Sequence, residues 1–508
     1  MRGVVAAGHP LTARTGADVL RAGGNAVDAA VACVLMSFVA ESPLTGPGAG
    51  GFMLVHVPDG GSHLLDFFVA APGKGSADRE PAALLPIDVH FSEDAVQRFN
   101  VGPSSSGAYG TTLGLAQALE RFGSARLADL TAAPARAARE GVEVVPMQAF
   151  LFTVLEPILR STPECEAIYA PGGDLLRTGQ TIRLPELGGL LERLGTEGPG
   201  FLYAGDVAAA ASDWVLEHGG LLTREDLSSY EVIERPPARV GYRGREVLTN
   251  PPPSSGGILI ADALGILERL ERPTDPAVVA EVIASTNRAR DEDFLEGLAT
   301  EGYLEQFLAK EALDSVAIDV RSRLGNTTHI SVMDAEGACA SVTCSNGSCS
   351  GVVVPGTGVH LNNMLGEQDL NPLGFHRHTP GARVPSMMAP TLVLSADDRP
   401  EMALGSAGSN RIRSAILQTI IGVIDHGLPA QEAVSSPRLH VEGRDLDAEP
   451  GVPEGPLDRL EAGGWRVRRW SEQNLFFGGV QAVARNPETG ALTGGGDPRR
   501  GGVAETVG

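Results

Sequence analysis

The chain has 508 residues, 43% hydrophobic and 20% charged, an ordinary globular composition with room for a large core. A formal net charge of −23 argues against a nucleic-acid partner, because phosphate binding needs clustered basic residues. Five cysteines (Cys33, Cys165, Cys339, Cys344, Cys349), odd in number and without a CxxC pair, argue against a disulfide framework or a zinc knuckle and fit a reducing cytoplasm.

The opening MRGVVAAGHPLTAR lacks the apolar core of a signal peptide. Asn25 is placed to cap a helix over Ala26 to Ala40, with Asp28 in its first turn, where the helix dipole favours negative charge. That stretch is the most apolar of the chain, but it carries Asp28 and is too short to cross a bilayer, so no membrane span is expected. Phe52 to Val57 and His63 to Phe67 read as a hairpin around PDGG. A largely helical stretch is expected from about Gly110 to Leu270, including Asp206 to Glu217 and a helix after PPPSSGGI (Pro251 to Ile258). Helical periodicity continues from Asp275 to Leu313.

From Thr327 the pattern changes. Ile330 and Val332, then Ala338, Ala340 and Val342 across the turn AEG, alternate with polar residues and predict a second hairpin. TLVLS and EMALG around ADDRP predict a third, and GSAGSN (Gly405 to Asn410) leads into an amphipathic helix beginning near Arg411. Strands and helices come in blocks, which points to sheets packed between helical layers and not to a doubly wound parallel sheet.

Gly46, Gly48 and Gly51 in GPGAGG match GxGxxG literally, but here a helix precedes and a strand follows. A dinucleotide fingerprint needs the reverse order, so that a helix N-terminus can hold a pyrophosphate. A tight turn with closely approaching backbones is expected instead.

NTTHIS (Asn326 to Ser331) opens the second hairpin. A threonine hydroxyl is a weak nucleophile without a base beside it. If the Asn326–Thr327 bond breaks, Thr327 gains an α-amine with a pKa near ~8 within reach of its own hydroxyl. Taken alone, the segment is better explained as a Thr-Thr pair opening a β-strand, which Thr favours.

The sequence resembles the γ-glutamyltransferase (glutathione hydrolase) family of N-terminal-nucleophile hydrolases nearly end to end. The matching pieces are RAGGNAVDAAVA, GPGAGGFMLV, NPPPSSGGI, NTTHISVMDAEG, LNN (Leu361 to Asn363), PSMMAPT (Pro385 to Thr391), GSAGSNRI and GGDPR (Gly495 to Arg499). The resemblance implies an α+β fold, a four-layer αββα sandwich. It implies self-cleavage between Asn326 and Thr327, leaving a large subunit 1–326 and a small subunit 327–508, with room for a homodimer of such pairs. Thr327 would then attack a small-molecule amide, and water or an amine would resolve the acyl-enzyme. No cofactor and no metal are implied.

Further positions take roles from the resemblance. Ser345 falls where the family places a Thr that hydrogen-bonds the nucleophile. Gly408 and Ser409 fall on its Gly-Gly oxyanion hole, Asn346 near its oxyanion-side Asn. The glutamate-gripping residues differ. Phe68 stands at the arginine that binds the substrate α-carboxylate, and Ser386 and Met387 replace two serines. Met364 and Glu367 occupy the positions that meet the α-amino group. A carboxylate buried against Phe and Met without its arginine would go unpaired, at a cost of several kcal/mol. An acyl group that is apolar or lacks the α-amino-acid end fits better, unless another arginine such as Arg383 fills in. The family includes members resembling acylases of cephalosporin side chains and a hydrolase of oxamate. The short loop from Glu367 to Arg383 suggests a small lid or none, favouring hydrolysis over transfer. Its His376-x-His378 pair has no clear third metal ligand and reads as solvated loop. The rival readings are a true glutathione hydrolase, an uncut non-catalytic binding protein, and a Ser-His-Asp hydrolase, for which no GxSxG elbow follows a strand.

Overall fold

A computed structural model of the chain describes residues 2–76, 79–90, 96–270, 274–298, 300, 302–308 and 327–508. Asn326, the proposed scissile bond and the helical periodicity expected beyond 308 lie outside the described residues.

Two antiparallel sheets carry the architecture. The first has seven strands in the order Val503–Val507, Gly3–Ala7, Thr328–Asp334, Cys339–Ser345, Gly50–Val57, Gly61–Phe67, Ile233–Arg235. The second has six, in the order Leu492–Gly496, Gly479–Arg485, Pro400–Ala407, Thr391–Leu394, Arg245–Thr249, Ala238–Tyr242. Strand alternation sorts their side chains into three cores. Val4, Phe52, Leu54, Leu392, Leu394 and Val483 fill the space between the sheets. On the outer face of the first sheet, Ile330, Val332, Met53 and Val55 join Val31, Leu35 and Phe38 of the Ala26–Ala40 helix. On the outer face of the second, Val393, Met402 and Leu404 pack with Leu264, Ile416 and Ile420 of helices Ser255–Glu268 and Arg411–Ile424. Three cores between four layers make the αββα sandwich. Each fully buried Leu or Phe contributes about 1.5–3 kcal/mol relative to exposure, so these contacts hold the layers.

Local chemistry explains the segments that matter. The Ala26–Ala40 helix is buried along its whole length and starts at a reciprocal cap, in which Asn25 accepts from the N–H of Val27 and Asp28 while Asp28 accepts from the N–H of Asn25. All three expected hairpins form, as Gly50–Val57 with Gly61–Phe67, Thr328–Asp334 with Cys339–Ser345, and Thr391–Leu394 with Pro400–Ala407. GPGAGG is a close-approach turn: a Cβ on Gly51 would lie 2.3 Å from the Thr343 carbonyl oxygen, and one on Gly48 2.4 Å from that of His360. One expectation fails. The stretch taken as largely helical to Leu270 contains five strands, the two-residue Val142–Glu143 and Thr181–Ile182, then Ile233–Arg235, Ala238–Tyr242 and Arg245–Thr249. Arg243 and Gly244 both take positive φ in the tight turn joining the last two.

Candidate active site

Thr327 stands immediately before the Thr328–Asp334 strand. Antiparallel pairing of Thr328 with Cys344 sets Thr327 opposite Ser345, and its Oγ1 donates to Ser345 Oγ over 3.4 Å. Ser345 Oγ also accepts from the Gly347 N–H at 2.8 Å. The turn after Ser345 is pinned further by Asn363, whose Oδ1 accepts from Ser348 N–H at 2.8 Å, and by Glu367, whose Oε1 accepts from the same N–H at 3.0 Å. Thr327 is 7% exposed, reachable but mostly walled in.

A cleft of about 370 Å³ opens on Thr327. Of the residues singled out from sequence, it gathers Phe68, Thr327, Ser345, Met364, Glu367, Ser386, Met387 and Ser409. Gly347, Asp369, Leu370, Met388 and Ile412 complete the lining. Their neighbours carried recognisable motifs, but loop residues such as Asp369 and Leu370 had no spacing to mark them. Asn346 does not line the cleft; its side chain points to the Pro43 carbonyl at 3.5 Å.

The walls are apolar where a carboxylate clamp would be needed. Phe68 is fully buried and stacks on Phe52, with centroids 5.3 Å apart. Met364 and Met388 belong to the core between the sheets, Met387 to the core behind the second sheet. No arginine lines the cleft among the described residues. Arg383, named above as a replacement for the missing cation, is committed elsewhere. Its Nε donates to the buried Asp66 at 3.2 Å, its Nη2 to the Glu231 carbonyl, and its guanidinium lies 4.4 Å over the Tyr230 ring.

Gly408 and Ser409 form the turn between the Pro400–Ala407 strand and the Arg411–Ile424 helix, with φ of +125° and +53°. Both residues precede the N-cap Asn410, at the positive end of the helix dipole, which favours developing negative charge. Ser409 Oγ donates to Asp369 Oδ2 in a short contact, which fastens the turn to the cleft loop.

A second cavity shares Thr327 with the cleft, and no other described residue lines both. Its lining includes His9, Glu41, Gln148, Thr328, Gln481 and Arg500. Glu41 immediately follows the Ala26–Ala40 helix and is 5% exposed. Thr12 Oγ1 donates to its Oε1 at 2.8 Å, and Thr328 Oγ1 donates to its Oε2 in a short contact. Burial pushes the Glu41 carboxyl up to about 7 against the pull of these hydroxyls. His9, its Nδ1 accepting from Leu11 N–H, is pushed down to about 4 by burial. Sequence reasoning passed over Glu41, although a carboxylate at a helix C-terminus opposes the helix dipole and is a signal in itself. His376 and His378 do not build a metal site: His378 Nε2 pairs with Asn371 Oδ1 at 3.0 Å, and no cluster of three metal-ligating side chains occurs among the described residues.

Two facing antiparallel sheets between helical layers, with a threonine opening a central strand, define the N-terminal-nucleophile hydrolase class. The sequence profile of the gamma-glutamyltranspeptidase family matches residues 12–507, and the chain belongs to that family. It is 34% identical to the Acylase ACY 1 proenzyme of Pseudomonas sp. (strain V22), over 97% of this chain and 91% of that protein. It is 30% identical to the glutathione hydrolase proenzyme of Escherichia coli (strain K12), over 98% and 90%. The solved structure of a cephalosporin acylase from Bacillus halodurans superposes with a TM-score of 0.82 at 26% identity, covering 99% of this chain and 95% of that one.

Proposed function

We propose that Thr327, freed as a chain terminus by self-cleavage after Asn326, is the nucleophile of an amidohydrolase whose acyl group is not plain γ-glutamyl. The α-amine takes the proton of the Thr327 hydroxyl as Oγ1 attacks the substrate carbonyl, and Ser345 orients that hydroxyl. Backbone N–H groups at Gly408 and Ser409 receive the oxyanion, a role in which one donor is typically worth ~3–4 kcal/mol. Proton return to the departing amine leaves an ester on Thr327, which water resolves. Cleavage would leave 1–326 and 327–508 as the two subunits, and the free, buried state of all five cysteines suits a reducing compartment such as the cytoplasm.

The observation that carries the specificity is the lining of the cleft: Phe68, Met364 and Met387 stand around Thr327 and Arg383 is tied to Asp66. A free α-carboxylate there would be desolvated without a partner. An apolar acyl chain would gain about 25 cal/mol per Å² buried. The acylase name of the 34% identical relative supports the same direction.

The test is a denaturing gel with N-terminal sequencing, followed by turnover of hexanoyl p-nitroanilide and γ-glutamyl p-nitroanilide. Two bands, a small subunit beginning at Thr327, and at least about tenfold preference for the apolar acyl group, about 1.4 kcal/mol, are expected. Robust γ-glutamyl turnover would overturn the specificity and favour a true glutathione hydrolase. A single uncut band would favour a non-catalytic homologue.

A further inference from the structure

The second cavity contains a buried carboxyl that nothing in the reaction described above uses. Both oxygens of Glu41 are held by hydroxyls, from Thr12 and Thr328. Among the described residues it forms no ion pair within 4.0 Å, unlike the buried Asp66, Asp497 and Glu449, each of which faces an arginine. Its anchor Thr328 is the residue after the proposed nucleophile, and Thr327 and Glu41 line the same cavity. A buried acid held by hydroxyls therefore lies beside the place where the proposed cleavage would create a new cation.

We propose that the Glu41 carboxylate is the counter-charge for the α-ammonium that cutting before Thr327 produces, and so a positioning residue for the mature nucleophile. The inference rests on the reading of Thr327 given above and deepens it. In the uncut chain residue 327 has an amide nitrogen, which carries no charge, and among the described residues Glu41 is held by the Thr12 and Thr328 hydroxyls alone. After the cut, the ammonium and the carboxylate face the same cavity. Their attraction turns the amine toward Glu41 and fixes where its lone pair lies once a proton has left to solvent. The other groups facing Glu41 do not compete for this role at neutral pH. The Cys33 and Cys344 thiols are pushed up by burial and stay protonated, and His9, held near 4, stays neutral. Arg500 also lines the cavity but makes no ion pair with Glu41 within 4.0 Å, and it is charged before and after cleavage alike.

The readout is the titration of the Thr327 α-amine by carbon-13 NMR, in cut enzyme labelled at the threonine Cα, for wild type and Glu41→Gln. Glu41→Gln is expected to cut itself as fully as wild type, since the precursor has no ammonium to stabilise. Its amine should titrate at least about one pH unit lower, the size an opposite charge at short range commands. Superimposed titration curves overturn the inference. So does a folded Glu41→Gln precursor that fails to cut, which would assign the carboxyl to processing instead. Should Glu41→Gln not fold, wild type alone decides: an amine pKa raised above the ordinary ~8 supports the inference, and one at or below it overturns it. Thr327→Ala separates the two levels. If that variant still cuts, the nucleophile assignment itself is wrong; if it stays whole while the Glu41→Gln titration is unmoved, only the role of Glu41 falls.

Discussion

Ser409 shows how one residue trades backbone strain for a tether. A non-glycine residue at φ +53° costs about 1–2 kcal/mol. Its hydroxyl returns a charge-assisted hydrogen bond to Asp369, worth about 1.5–3 kcal/mol. The two nearly cancel, so the residue is tolerated at a turn for which its resemblance implied glycine. Ser409→Gly is therefore expected to unfold within about 1 kcal/mol of wild type. Ser409→Ala keeps the strain and loses the tether, so it should be destabilised by about 1.5–3 kcal/mol. Urea unfolding of both variants measures this, and Ala ranking above Gly would contradict the assigned balance. At this scale the sequence was most legible where a motif and a pairing register coincide. Ser345 and Phe68 were named from the resemblance, and the hairpin registers then set Thr327 opposite Ser345 and Phe68 directly after the first hairpin. Asp369 was not legible, because it acts through a long-range contact to Ser409 that no local spacing announces, and Glu41 offered only its place at a helix C-terminus, its contact to Thr328 being equally remote in sequence.

Among the elements, the Thr328–Asp334 strand joins core and site. Ile330 and Val332 face the helices, while His329 and Ser331 face the second sheet. His329 lies against Gly405, where a Cβ would come 2.3 Å from its ring. Its Nδ1 pairs with Thr343 Oγ1 at 2.8 Å and its Nε2 with Ser331 Oγ at 2.9 Å. Burial pushes its pKa down to about 3. Above pH 6.5 the ring is neutral in folded and unfolded chains alike and contributes no pH dependence. As pH falls from 6.5 toward 3, the unfolded chain takes up a proton that the native ring refuses, and stability drops by up to about 1.4 kcal/mol per unit. His9 and His360, each near 4, act in the same direction. His329→Gln should remove about one proton's worth of that slope between pH 6 and 4.5, read from urea midpoints; an unchanged slope would mean the ring is not excluded from protonation. The three predicted hairpins were strong signals because their strands are buried and alternate cleanly. Ile233–Arg235 and Ala238–Tyr242 were missed because they are edge strands, short and rich in charge, where natural sheets suppress the alternation that would reveal them.

Over the whole molecule, the striking-distance geometry of the site depends on how the two proposed subunits are woven. In the first sheet Gly3–Ala7 lies between Val503–Val507 and Thr328–Asp334, so a strand from before the cut is flanked by two from after it. In the second, Arg245–Thr249 pairs with Thr391–Leu394. Cleavage at 327 therefore severs no sheet hydrogen bond among the described residues. Cut enzyme is expected to elute as one particle in native size-exclusion chromatography and to melt in one transition, with two bands only under denaturation. Separation of the pieces without denaturant would contradict the interleaved order.

The pairing of Gly3 with Val507, with Arg2 N–H donating to the Val507 carbonyl at 2.8 Å, brings the outer ends of the two pieces side by side. A few linking residues could splice those ends, and translation could then begin at Met followed by Thr327. On the role proposed for Thr327, removal of the initiator methionine would expose the threonine amine directly, and such a rearranged gene would make an enzyme born mature, with no self-cutting step to wait for.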